Sequence, residues 1–389
     1  MIRKISVGID VGTYSTRVVV CEYLKNESVP KVIGTGISPS RGLRHGYVTN
    51  HTEASKGIKK AVNEAEKNSG IKIKRAVVSI GGISLSSETS TGDAVISKAN
   101  DEVTTLDIIK AINLSEENLK IPNKKIIHNI PIEYKLDGKE ILGKPEGMKG
   151  LKLEVKTLFV TCLEQHLENL ILAVREAGVE VGDIIASPLA SSAVVLSERQ
   201  KTAGCALIDI GAETVSLAVF ENNNLISLYV FNVGSTQITN DIALGFKIPL
   251  EEAESLKIGS IIGDFPRKKL TEIIDARLSD IFELVEIHLK KLKRNGLLPA
   301  GIIITGGGSH ISTIEELSKS MLKLPSRIGG VEDGYSKNKL KDTSWFVAYG
   351  LCVAEGGDIS DKEISGGGAN EVIRKTKKFF NSIFQQLMP

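Results

Sequence analysis

The sequence predicts an α/β protein made by duplicating one unit, and three observations carry that prediction. A strand pattern ends in Asp10-Val11-Gly12-Thr13, and a second one ends in Asp209-Ile210-Gly211-Ala212. Each Asp-x-Gly turn is followed by the same order of strand, strand and helix, and such self-similarity marks an internal repeat. The third observation is an apolar strand pattern at 301–305 (GIIIT) that runs into Gly306, Gly307 and Gly308 and then a helix.

In chain order, residues 4–10 (KISVGID) read as a strand, 12–15 as a tight turn, 17–23 (RVVVCEY) as a second strand and 31–37 as a third. A helix is expected over 52–68, with Ile58, Ala61, Val62 and Ala65 on one stripe and Gly70 as its stop. Residues 75–80 (RAVVSI) return as a strand. In the second half, strands are expected to end at Asp209 and to run over 215–220 and 225–233, with a helix beginning near Thr239 and Asn240. An insertion at 84–163 is polar, with short strands at 93–97, 125–134 and 152–161. Another, at 244–300, is helical: Leu270, Ile273, Ile274, Leu278, Ile281, Val285, Leu289 and Leu292 keep i, i+3, i+4 spacing.

Composition narrows the class. Of 389 residues, 41% are hydrophobic and 25% charged, which excludes wholesale disorder. No stretch approaches about 18 uncharged apolar residues, so no transmembrane helix is expected. MIRKISVGIDVG enters a strand pattern with no apolar leader, which predicts a cytoplasmic protein. Cys21, Cys162, Cys205 and Cys352 sit apart in apolar contexts, and the histidines are scattered singly. Buried reduced thiols are expected, with neither a zinc cage nor a nucleophile triad. A net charge of +2 supplies no basic field, and no nucleic-acid partner is expected.

The paired turns carry the chemistry. Asp10 puts a carboxylate at the end of a strand, and Gly12, Thr13, Tyr14 and Ser15 form a hairpin turn whose N–H groups can meet an anion. Gly211, Ala212, Glu213 and Thr214 repeat it after Asp209. Facing each other, two such turns would hold a polyphosphate, and Asp10 and Asp209 would accept hydrogen bonds from the water ligands of Mg²⁺. Gly306, Gly307 and Gly308 permit close approach to a flat ligand at the start of a helix. Glu254 and Lys257 share one helix face three residues apart, a spacing that usually gives a solvated ion pair.

The order of phosphate turn, connecting helix, second phosphate turn and triple-glycine loop resembles the actin, hexokinase and heat-shock chaperone superfamily, whose fold is ribonuclease H-like. Within it, Gly8-Ile9-Asp10-Val11-Gly12-Thr13, Val77-Val78-Ser79-Ile80-Gly81-Gly82, Ile238-Thr239-Asn240-Asp241-Ile242-Ala243 and Ala253-Glu254-Ser255-Leu256-Lys257 resemble the bacterial cell-division family FtsA over almost the whole chain. The resemblance implies a duplicated actin-like ATPase fold with an inserted α+β subdomain. Subdomain 1A would comprise 1–83 and 164–195, subdomain 1C 84–163, subdomain 2A 196–243 and 301–355, and subdomain 2B 244–300. It also implies ATP with Mg²⁺, Glu254 and Lys257 near ribose and adenine, and Gly234 and Ser235 beside the phosphates. Self-assembly into filaments, late division proteins on the inserted subdomain and the FtsZ C-terminal peptide on subdomain 2B follow from it too. Arg277, Asp280 and Glu283 are the candidate contacts for that peptide.

Several residues depart from the family pattern. Ala212, Glu213 and Ser216 replace two glycines and an aspartate of the usual second turn, and Ser15 stands where many members carry lysine. Glu213 would add negative charge near the phosphates. The Asp-Ile-Gly-Ala-Glu-Thr form is similar to the pilus-assembly family PilM. Ser187 stands before Pro188, where chaperone-like relatives have an acid, so slow hydrolysis at best is expected. A small-molecule kinase is a third reading; it would need a catalytic aspartate in a substrate cleft, and it gives no reason for an amphipathic terminal helix.

Residues 356–370 read as a flexible linker, and 371–388 as an amphipathic helix. Ile373, Phe380, Ile383, Phe384 and Leu387 form an apolar stripe that Phe379 widens, and Arg374, Lys377 and Lys378 lie on the other side. The four cations of that segment forbid a crossing and suit an anionic membrane surface. The expected location is therefore peripheral on a membrane surface, and the FtsA resemblance implies the inner face of the cell membrane at the division site. Residues 371–389 carry four basic groups and one acidic group, so this tail alone is +3 and the other 370 residues sum to −1.

Overall fold

The computed structural model describes residues 4–24, 29–97, 100–260, 265–331, 340 and 342–357. The expected terminal helix, and the linker beyond residue 357, lie outside the described residues.

The first half opens with strands β1 (Lys4–Val11), β2 (Ser15–Tyr23) and β3 (Lys31–Pro39), a small hairpin of β4 (Leu43–Arg44) and β5 (Tyr47–Val48), helix α1 (His51–Ser69) and strand β6 (Arg75–Ile80). Asn50 starts α1 by accepting the Glu53 N–H, and Gly70 stops it at φ 69°. The insertion holds β7 (Ser86–Val95), α2 (Thr105–Glu117), β8 (Lys124–Leu136), β9 (Lys139–Ile141) and β10 (Lys152–Leu163). The chain returns through α3 (Glu164–Glu176) and β11 (Glu180–Ala186), then crosses over by α4 (Ser187–Val195) and α5 (Glu198–Ala203).

The second half repeats the pattern with β12 (Cys205–Ile210), β13 (Val215–Glu221), β14 (Asn224–Phe231) and α6 (Ser235–Phe246). Helices α7 (Leu250–Lys257) and α8 (Arg267–Lys291) follow, then β15 (Gly301–Thr305), α9 (Ile314–Leu322), β16 (Ser326–Ile328) and α10 (Phe346–Gly357).

The duplication is written in the sheets. One is ordered β11-β6-β1-β2-β3, and the other begins β16-β15-β12-β13-β14, the same order. β1 pairs antiparallel with β2 and parallel with β6, just as β12 pairs with β13 and β15. Asp10 stands opposite Arg17, and Asp209 opposite Ser216. Helices α4 and α10 pack together between the sheets, where a side chain on Gly350 would overlap the Ala190 carbonyl.

Three expectations are corrected. The strand expected at 93–97 is β7, ten residues from Ser86 to Val95, paired along its length with β10. The helix expected from Thr239 starts at Ser235, because Ser235 N–H and Thr236 N–H bond back to the carbonyls of Gly211 and Ala212. The third strand of the second half ends at Phe231, short of residue 233. The insertion also joins the other half: β7 meets β14 at Ser86 and Tyr229, making a nine-stranded sheet. There Ser87 Oγ accepts the Leu228 N–H at 2.7 Å and donates to the Leu228 carbonyl at 3.2 Å.

Among the described residues no helix is long and apolar enough to cross a membrane. The four cysteines are buried and free.

Candidate nucleotide site

A cleft of about 810 Å³ lies between the two halves. Each strand–turn–strand unit delivers its turn to this space: Gly12, Thr13, Tyr14 and Ser15 from the first, Gly211, Ala212 and Thr214 from the second. The second turn is closed by Gly211 N–H donating to the Thr214 carbonyl at 2.9 Å. Asp10 and Asp209 line the floor. Ser79 Oγ donates to Asp10 Oδ1 at 2.7 Å, yet burial holds the Asp10 carboxyl above its ordinary pKa. Burial, and then the charge of Asp10, push Asp209 up to about 7. The two carboxylates feel each other, and Arg17 is the cation that partly offsets them.

Glu254 and Lys257 form a built pair rather than a solvated one. Their charged atoms are 2.7 Å apart, and the Lys257 side chain is only 8% exposed. Lys257 Nζ also donates to Thr239 Oγ1 at 2.9 Å and to the Ser235 carbonyl at 3.2 Å, and Thr239 Oγ1 donates to Glu254 at 2.5 Å. This network ties α7 to α6 along the cleft wall. Ser235, Gly306 and Gly307 line the wall as well; Gly306, at φ 86°, passes so close to Asp209 and Ile210 that a side chain would not fit.

Three expected residues stand back from the lining. Gly308 packs on Ile210, and Gly234 lies against the Ala212 carbonyl, so both shape the turns from behind. Glu213 sends its carboxylate across to the first half, where it accepts the His45 backbone N–H at 2.5 Å. Arg277, Asp280 and Glu283 lie on α8 outside the cleft lining. There Arg277 grips Asp241 of α6 through Nε at 2.7 Å and a second guanidinium nitrogen at 3.1 Å, and it reaches Asp280 at 3.0 Å.

Ser187 and Thr239, read from the sequence for other reasons, line the same cleft, and the structure adds residues that the motifs did not name: Arg17, Gly46, His310, Asp342, Thr343 and Ser344. Arg17 had a signal, since it stands two residues beyond Ser15 and so on the same strand face. The loop carrying Asp342 had none, because only tertiary packing brings it to His310, whose Nε2 is 3.2 Å from Asp342 Oδ1. Ser15 Oγ, Arg17 Nε and Ser344 Oγ, all on residues lining the cleft, are buried polar atoms with no hydrogen-bond partner among the described residues. Such orphans point to a polar, anion-bearing occupant.

Two matched halves, each presenting an Asp-x-Gly turn to a shared cleft, define the actin-like ATPase architecture. Solved structures agree on that fold. The PilM–PilN type IV pilus biogenesis complex aligns with a TM-score of 0.67 at 16% identity, covering 90% of this chain and 98% of that one. MreB5 of Spiroplasma citri bound to ADP aligns at 0.55 and 14% identity, covering 93% and 99%.

The particular family comes from sequence. The profile described as "Cell division protein FtsA" matches residues 206–350, and "SHS2 domain inserted in FTSA" matches 82–161. Cell division protein FtsA of Pseudomonas aeruginosa is 32% identical over 84% of this chain and 83% of its own. The Bacillus subtilis protein of that name is 30% identical over 84% and 78%. The chain belongs to the FtsA family of cell-division proteins, with an actin-like fold and an inserted SHS2 domain.

Proposed function

We propose that the chain is an ATP-binding, filament-forming adaptor that sits on the cytoplasmic membrane at the division site and tethers the FtsZ ring. The observation that supports ATP most directly is the convergence of two phosphate turns and two carboxylates on one cleft. Gly12 to Ser15, and Gly211, Ala212 and Thr214 of the second turn, would meet the phosphates, with Arg17 as the nearby cation. Glu254 and Lys257 would face ribose and base. Mg²⁺, which keeps several waters and takes few protein ligands, suits Asp10 and Asp209. Among the described residues no group of three or more metal-ligating side chains gathers, so water would complete its shell. Bound there, the ion would neutralise the phosphates and the two carboxylates together. Ser187, in the cleft where an acid would orient water, supports slow hydrolysis at best. Calorimetric titration with Mg–ATP tests the reading, and absence of binding would overturn it.

The membrane role rests on residues 371–388, with Ile373, Phe379, Phe380, Ile383, Phe384 and Leu387 entering the interface and Arg374, Lys377 and Lys378 meeting anionic headgroups. Co-sedimentation with anionic liposomes should be lost when 371–389 is removed. The FtsZ C-terminal peptide would bind subdomain 2B near Asp280 and Glu283, both exposed on α8. The inserted subdomain would meet late division proteins.

A pilus-platform role is the second reading. It is favoured by the Asp209-Ile210-Gly211-Ala212-Glu213-Thr214 turn and by the fold shared with the PilM–PilN complex. Binding of an FtsZ peptide, and not of a pilus-partner peptide, would decide against it.

A further inference from the structure

The hairpin between β4 and β5 turns at His45 and Gly46, both left-handed at φ 49° and 79°. Consecutive N–H groups in such a turn point the same way and form a small concavity for acceptors. Here the two phosphate turns supply them. Gly46 N–H donates to Thr13 Oγ1 at 3.1 Å, within the first half. His45 N–H donates to Glu213 at 2.5 Å, across the cleft to the second half. The hairpin is otherwise fixed to its own half: the Gly46 carbonyl accepts from His166 Nε2 at 2.9 Å, and the His45 carbonyl accepts the Ile83 N–H at 3.4 Å. Gly46 also packs so tightly on Gly82 that no side chain could stand there. One end of the contact is therefore rigidly held. The other end is a single carboxylate in the turn between β12 and β13, half-buried and making a charge-assisted bond.

We propose that Glu213 is a latch between the two halves: its grip on the His45 N–H holds the cleft closed and sets how fast a ligand enters and leaves. The His45 imidazole Nδ1 also lies 3.8 Å from the same carboxylate oxygen, beyond hydrogen-bond reach; the hydrogen bond itself runs from backbone to side chain, so the latch is removed by shortening residue 213 and survives loss of the imidazole. Its geometric half stands alone; its kinetic half rests on the nucleotide reading.

The test places spin labels on Lys59→Cys in α1 and Lys319→Cys in α9, both exposed, in the full chain whose native thiols are buried. Without added ligand, Glu213→Ala should give longer and broader inter-label distances than the parent. Glu213→Gln, whose amide oxygen still accepts, and His45→Gly, which keeps the N–H and suits a positive φ, should stay close to the parent. A Glu213→Ala distribution superimposed on the parent's overturns the latch. So does an equal shift in Glu213→Gln, which would trace the effect to charge alone. In stopped-flow chase, a fluorescent ATP analogue should leave Glu213→Ala about tenfold faster, the scale of one charge-assisted hydrogen bond partly open to water. An unchanged rate overturns the kinetic half. An analogue that binds no variant at all refutes the nucleotide reading instead, and the label distances still judge the latch.

Discussion

His128 of β8 accepts the Ala186 N–H on Nε2 at 3.0 Å, inside the protein. The inserted subdomain is thereby keyed to the last residue of β11, one step before Ser187 of the cleft. Because Nε2 is an acceptor, the ring is neutral with its proton on Nδ1.

Burial lowers the His128 pKa to about 3, and that of His166 to about 4, from an ordinary 6.5. Below 6.5 the unfolded chain takes up protons that the folded chain refuses. The stability these groups contribute is therefore present above about 6.5 and lost as pH falls toward 3–4, by about 1.4 kcal/mol per pH unit for each. Urea melts between pH 7 and 4.5 should show a shallower decline in His128→Gln than in the parent.

Asp209 carries the opposite sign. Its carboxyl is raised to about 7, so at pH 8 it is a buried charge disfavoured by its surroundings and by Asp10. Asp209→Asn should raise the melting temperature without ligand at pH 8; if Mg–ATP binds as proposed, the further rise expected in the parent should be abolished in the variant. A lower melting temperature in the variant would contradict this account.

Lys257 holds α7 to α6 through Thr239 and the Ser235 carbonyl while pairing with Glu254. Lys257→Met keeps the stem and leaves Glu254 without its cation. A loss of about 1–3 kcal/mol in denaturant unfolding is expected. Nucleotide affinity should fall in the same variant, read by calorimetry.

Arg277 and Asp241 are about 30% exposed, and water weakens their pair even though it is bidentate. A double-mutant cycle of Arg277→Ala with Asp241→Ala should return a coupling of about 0.5–1 kcal/mol. Asp241→Asn should also loosen the guanidinium, leaving Asp280 as its carboxylate partner, so an FtsZ peptide that uses Arg277 would bind that variant more tightly than the parent.

What could be read from the chain alone follows from sequence separation. The repeat was legible because Asp10-Val11-Gly12 and Asp209-Ile210-Gly211 are local signals that recur, and α8 because its buried Ile274, Leu278, Ile281, Val285 and Leu289 keep helical spacing. β7 was only partly legible. Its first residues, Ser86-Ser87-Glu88-Thr89-Ser90, are polar and take strand form from β10, residues distant in sequence. Helix α2 had a legible signal that the reading of a polar insertion passed over: Thr104 and Asp107 form a capping box, and Ile108, Ala111 and Ile112 follow at helical spacing. Glu213 was read as a charge near phosphate; its contact with His45 spans 168 positions and has no local signature.

The seam at Ser87 and Leu228 has a mechanical meaning. Strand β14 follows β13, which leads out of the second phosphate turn, and β7 continues that sheet into the inserted domain. Hydrogen-bonded strands transmit a pull with little slack. A partner tugging on the insertion would load the turn at Gly211–Thr214 through two strands, and a shift of that turn would tilt the insertion in return. The Ser87 hydroxyl, bonded to both the N–H and the carbonyl of Leu228, would be the pin in that load path, and Ser87→Ala is where it would slip.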